Sequence, residues 1–207
     1  MSLSLTPNEA AFVAGRDVTA VQRAVDDGTL QSRLRTVRGR ERRVLGRSEV
    51  RFFRATRGTE DTLTPKGRRA LYEAIQRPRD GKASVGPFTI DLHDVDRQID
   101  QGLAELNRIR SRVEPGPDGD PVLKGRRVPV HLLAALVEGG GVEEAMRAYP
   151  SLAREDVDAA VQYAGVYPKS GRPYPKRSLK RMLSELALPD EVFGDAGEEK
   201  GPREVRL

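Results

Sequence analysis

Ten arginines stand between Arg33 and Arg57, against only Glu41 and Glu49. Guanidinium groups are planar, permanently charged donors whose geometry matches phosphate oxygens. Four of them, Arg38, Arg40, Arg42 and Arg43, surround Gly39 in a stretch whose flanks alternate like strands, so a β-hairpin studded with arginine is expected there. Just upstream, Thr19, Gln22 and Arg23 share one face of a helical pattern. Side chains of these types reach base edges or phosphates from a major groove. A second basic group, Lys169, Arg172, Lys176, Arg177, Lys180 and Arg181, lies near the C-terminus. Between Gly139 and Gly165 the balance reverses, with two arginines against five acids. The net charge of +5 is therefore less informative than its distribution, since blocks of opposite sign imply separate surfaces with separate partners.

Other chemistries find little support. The 207 residues include no cysteine, which removes disulfides, thiolate metal sites and cysteine nucleophiles. The two histidines, His93 and His131, have no neighbouring ligand spacing for a metal. Gly139-Gly140-Gly141 lacks the preceding strand and following Lys-Ser/Thr of a phosphate loop, and reads as a helix stop. No enzyme activity, metal or cofactor is expected. No apolar run approaches the ~18–20 residues of a membrane span, and Met1–Pro7 lacks the regions of a signal peptide. A cytoplasmic protein without membrane contact is expected.

Helices must position the charged groups. Thr6-Pro7-Asn8-Glu9 offers a cap, a proline at the first helical position and a capping-box glutamate. Ala10, Val13 and Ala14 form the buried side, and Gly15 stops the helix. Asp17 caps a second helix with Val18, Val21, Ala24 and Val25 inward, ended by Gly28. After the hairpin, Ser48 is placed to cap a third helix carrying Val50, Phe52 and Phe53. Thr64-Pro65 opens a fourth, with Ala70, Leu71, Ala74 and Ile75 as its stripe. Pro78–Gly86 reads as a polar hinge and Phe88–Leu92 as a short strand. From Asp94, Val95, Ile99, Leu103, Leu106, Ile109 and Val113 make an amphipathic stripe, which either packs within the chain or against a second copy. Pro115–Asp120 is a break. Beyond Pro129, three short helical patterns follow: Leu132 to Val137, Val142 to Tyr149, and Val157 to Ala164.

Two resemblances emerge. The order helix, helix, hairpin, helix over about residues 5–57 resembles the winged helix-turn-helix of the MerR or excisionase type. Pro121-Val-Leu-Lys-Gly-Arg-Arg-Val-Pro-Val130, Glu138-Gly-Gly-Gly-Val-Glu-Glu144 and Tyr149-Pro-Ser-Leu-Ala-Arg-Glu-Asp-Val-Asp-Ala-Ala-Val-Gln-Tyr-Ala164 resemble the VapB-like antitoxin domain. Arg126 stands where that family usually has threonine, and Ala153 where serine or threonine would cap the last helix. Losing that cap costs about 1 kcal/mol. The antitoxin resemblance implies a type II antitoxin that binds a toxin, often a PIN-like ribonuclease, and represses its own operon. The last helix of the unit carries Glu155, Asp156 and Asp158, which phosphates would repel, so a scaffolding or dimerising role is expected for it and DNA contacts fall to the N-terminal module.

The expected fold is mainly α: an N-terminal winged helix-turn-helix, a C-terminal homeodomain-like three-helix unit, and short β segments. Residues 1–77 form the DNA-binding module, 78–119 a linker with a strand and a long helix, 120–165 the antitoxin unit, and 166–207 a toxin-binding tail. In the tail, Leu179, Met182, Leu183 and Leu186 form one apolar stripe, followed by Phe193. So short a helix needs a partner surface. Arg172, Arg177 and Arg181 could block the carboxylate-rich metal site of a PIN-like nuclease. The expected partners are that toxin, operator DNA and a second copy in a homodimer. The alternative is a stand-alone dimeric DNA-binding transcription regulator.

Overall fold

A computed structural model describes residues 3–37, 40–59, 62–117, 119–169 and 171–176. The described chain is mainly helical with short antiparallel strand pairs. Helix α1 (Pro7–Ala14) starts as its sequence dictates. Glu9 Oε2 accepts the Thr6 N–H at 2.9 Å, and Thr6 Oγ1 faces the Glu9 N–H at 3.5 Å. Gly15, in the left-handed region at φ 64°, ends it. Asp17 caps α2 (Val18–Asp26) by accepting the Ala20 N–H at 3.1 Å. Strands β1 (Arg33–Val37) and β2 (Arg40–Val44) pair antiparallel, with Arg33 opposite Val44 and Arg35 opposite Arg42. Leu5 bridges to Leu45 and so fastens the chain's start to the base of this ribbon.

Helix α3 (Arg47–Ala55) departs from expectation at its first turn. Its cap residue is Gly46, not Ser48, because the Glu49 carboxylate reaches back to the Gly46 N–H at 2.6 Å and fixes the start two residues earlier. Helix α4 (Pro65–Gln76) is capped by Thr64. The stretch read as a polar hinge contains a strand instead. Here β3 (Lys82–Val85) pairs with β4 (Phe88–Asp91), and only Ala83 of β3 is buried, so the hydropathy pattern gave it little signal. Asp91 then caps α5 (Leu92–Ser111), which begins two residues before Asp94. Val113 lies beyond that helix, in β5 (Val113–Pro115), which pairs with β6 (Pro121–Leu123) around the break.

Helix α6 (Val130–Ala148) is two helices meeting at Gly141, whose φ of 80° and ψ of 176° no helix accommodates. Of the three glycines read as a stop, Gly139 and Gly140 stay helical. Helix α7 (Arg154–Val166) completes the unit. Ala153 offers no side-chain cap, and Asp156 accepts the Ala153 N–H at 3.3 Å.

Two apolar cores result. The first joins α1 to α4 with Ala83 and with Leu92, Val95, Ile99 and Leu106 of α5. The second gathers Ile109, Leu123, Val130, Leu133, Leu136, Ala145, Leu152, Val157, Ala160 and Tyr163. Helix α5 therefore serves both, and its stripe is buried within the chain. It crosses α1 closely at Gly102, where a β-carbon would meet the Val13 carbonyl oxygen at 2.9 Å. Phe12 and Tyr167 pack against both cores at their seam. There the Tyr167 hydroxyl donates to Glu9 Oε1 at 2.7 Å, Arg110 bonds both, and Asn8 donates to the Val166 carbonyl at 3.2 Å. Burial alone would raise the Glu9 carboxyl pKa, but the Thr6 N–H, Tyr167 and Arg110 together hold it below its usual value. Among the described residues, no helix is long and apolar enough to cross a membrane.

Candidate nucleic-acid interface

Helix α2 buries Val21 and Val25 and leaves Thr19, Gln22 and Arg23 exposed. Residues at spacings of three and four share a helix face, and Asp26 extends the same row by three more. A carboxylate there would repel phosphate. It is met by Arg43 of β2, which forms an ion pair with Asp26 across the exposed surface. That contact joins α2 to the ribbon and neutralises Asp26, while Asp27, four residues after Arg23, stays exposed at the end of the helix.

The ribbon register sorts its arginines by face, since successive side chains on a strand point to opposite sides. Arg43 pairs across with Leu34, and this side holds the Asp26 contact. Arg33, Arg35 and Arg42 lie on the other side, all exposed. Arg42 and Arg43 therefore do not act together, although they are adjacent in sequence. Arg40 begins β2 opposite Val37, with its side chain outside the described structure, and Arg38 lies outside the described residues.

Three of the ten arginines are committed elsewhere. Arg51 grips Asp96 of α5 through two hydrogen bonds of 2.8 and 2.6 Å. Arg47 contacts Asp96 at 3.1 Å and Asp100 at 3.0 Å. Arg54 donates to Gln98 at 2.6 Å and to the Ala14 carbonyl at 3.3 Å. These bonds dock α3 on α5. Hydrogen bonds from Arg51, working against burial, hold the Asp96 carboxyl below the usual aspartate range. The density of arginine in the sequence thus overstated the charge on the outer surface.

Sequence reasoning passed over Arg33, Arg35 and Asp26. The alternation Arg33-Leu34-Arg35 and the helical spacing from Thr19 to Asp26 carried the signal. Recognising it required the register and the ribbon's position against α2.

At the other end, the chain leaves α7 as a strap over α6. Lys169 pairs with Asp120 at 2.8 Å, and the Tyr174 hydroxyl donates to the same carboxylate at 2.7 Å. Lys176 reaches Glu138 at 2.5 Å, and its backbone lies against Gly139, where a β-carbon would overlap the Lys176 carbonyl oxygen. Arg172 is exposed on this strap. Arg177, Leu179, Arg181, Met182, Leu183, Leu186 and Phe193 lie outside the described residues. On α7, Glu155 and Asp158 are exposed, while Asp156 faces Arg112 at 3.8 Å and Arg126 at 3.9 Å.

A family profile described as "Protein of unknown function (DUF433)" matches residues 118–164, the stretch from the β5–β6 turn to the last turn of α7. The chain is similar to "Uncharacterized protein y4eO" of Sinorhizobium fredii (strain NBRC 101917 / NGR234), with 34% identity over 152 residues. That alignment covers 72% of this chain and 64% of the relative, so the chain spans less than two thirds of the relative's length. No solved structure matches.

Proposed function

We propose that this protein is a cytoplasmic DNA-binding antitoxin of the type II class, which reads operator DNA through α2 and the arginine ribbon and neutralises a PIN-like ribonuclease through the segment after Lys169. The observation that carries the DNA reading is the exposed row Thr19, Gln22 and Arg23, flanked by the ribbon, with the Asp26 charge beside it met by Arg43. A short helix presenting polar and cationic side chains fits a major groove, and a basic ribbon beside it fits the adjoining phosphates. The toxin half rests on the resemblance of residues 120–165 to the VapB-like antitoxin domain. It is supported by Arg172, which stays exposed on the strap.

The test has two arms. Fluorescence anisotropy with operator-region duplex should show binding that weakens steeply with salt, and substituting Thr19, Gln22 and Arg23 with alanine should remove the preference for one sequence over another. Co-expression with the product of the adjacent gene should yield a complex and relieve its toxicity. Deleting residues 177–207 should abolish that relief while leaving duplex binding in place. Recovery of DNA without any nuclease partner from the native host would instead favour a stand-alone regulator.

A further inference from the structure

On the side of the ribbon away from Asp26, a cleft of about 350 Å³ opens between β1, the start of α3 and the end of α4. Arg33 and Arg35 line it, together with Ser4, Ser48, Gln31 and Gln76. Arg42 stands directly opposite Arg35 on the neighbouring strand of the same face. Directly opposed residues hold their β-carbons about 5 Å apart, and like charges so placed are destabilising. Neither Arg33, Arg35 nor Arg42 has an ion-pair partner among the described residues, and all three are exposed. Three unmatched cations crowd one face of a two-stranded ribbon, beside a concave surface rich in neutral donors.

The two other charged groups of the cleft are already satisfied. Arg47 is held by Asp96 and Asp100. Glu49 is nearly buried and fully engaged: Oε2 accepts the Gly46 N–H at 2.6 Å and Oε1 accepts the Tyr72 hydroxyl at 2.5 Å. The local balance is therefore positive, and the size suits one or two phosphate groups.

We propose that this cleft is a phosphate-binding site, with Arg33 and Arg35 as its charged ligands, Arg42 reinforcing them across the strand, and the Ser4 and Ser48 hydroxyls as neutral donors. Bidentate guanidinium contacts to phosphate oxygens relieve the Arg35–Arg42 repulsion and fill the cleft. The phosphate comes from a nucleic-acid backbone or from a free phosphorylated small molecule. The first source rests on the DNA-binding reading above, and the second stands without it.

The experiment uses the full chain, the double variant Arg33→Gln/Arg35→Gln, and Arg154→Gln, an exposed arginine on α7, as the comparator. Inorganic diphosphate is titrated while the amide resonances of Gly46, Arg47 and Ser48 are followed. Duplex binding is measured in parallel by anisotropy across a salt series. A diphosphate affinity that falls at least ten-fold in the double variant, but not in Arg154→Gln, supports the site with a free phosphate compound as ligand. No diphosphate response, with duplex affinity about ten-fold weaker and a salt slope smaller by about two in the double variant, supports the site with backbone phosphate as ligand. Equal losses in the double variant and the comparator, or no change in either assay, overturns the proposal. Duplex binding that survives alanine at Thr19, Gln22 and Arg23 without loss of sequence preference sinks the groove-reading helix alone and leaves the cleft standing.

Discussion

At the scale of single residues, the partition of the arginines decides what each substitution does. Arg43 cancels Asp26 on the outer row of α2. Arg43→Gln is expected to weaken duplex binding several-fold at low salt, because it removes a cation and also uncovers a repulsive carboxylate. Adding Asp26→Asn in the same chain should recover a large part of that loss in anisotropy titrations. No recovery would mean that the pair only joins the ribbon to the helix. Asp96 supports a different expectation. Its folded pKa is lowered by Arg51 and Arg47, so its contribution to stability is present above the unfolded value of about 4 and is lost as pH falls through the folded value. Arg51→Leu should cost about 1–2 kcal/mol at pH 7 and flatten the loss of stability as pH falls below the unfolded aspartate value of about 4. Urea denaturation at several pH values reads both. Glu9 adds a slope of the same sign, since its carboxyl is also held low.

Elements meet at glycines here, and each glycine answers to a different neighbour. Gly102 lets α5 lie against the backbone of α1 at Val13. A leucine at this position would favour the helix by under about 1 kcal/mol yet force the two helices apart, at about 1–3 kcal/mol. Gly102→Leu should therefore be destabilised by about 1 kcal/mol in chemical denaturation. Gly139 is helical and exposed, so alanine favours α6 locally, but its methyl group would overlap the Lys176 carbonyl. Gly139→Ala is expected to keep or raise the melting temperature while making the strap near Lys176 faster to cleave by trypsin. Unchanged cleavage would show that the strap settles beside α6 without needing that space. Gly141 turns the chain between the halves of α6 at a φ that only glycine adopts readily.

At the scale of the molecule, α5 spans both cores, and the Glu9–Arg110–Tyr167 node closes the seam between them. The proposed DNA surface and the strap thus belong to units joined by buried contacts as well as by the chain. Tyr167→Phe deletes the hydroxyl that Glu9 and Arg110 share. It should lower global stability by about 1 kcal/mol, read by denaturation, and raise hydrogen exchange at both Asn8 and Val166, whose side-chain-to-backbone bond closes the same seam. Exchange that rises on one side only would mean that the node stabilises a single unit.

Much of this architecture was present in the order of residues. Thr6-Pro7, Asp17 and Thr64-Pro65 announced their helices because caps act within a few residues. The apolar spacing of α5 and α7 marked their buried faces for the same local reason. The sequence likewise set the arginine content of the ribbon and the acidity of α7. Tertiary structure alone decided the rest, because it depends on partners distant along the chain. It assigned the α5 stripe to the chain's own cores. It directed Arg47, Arg51 and Arg54 to α5 and left Arg33, Arg35 and Arg42 outward. Charge can be counted along a sequence, but whether a guanidinium meets a carboxylate or open solvent is settled only when strands take their register and helices their crossing points.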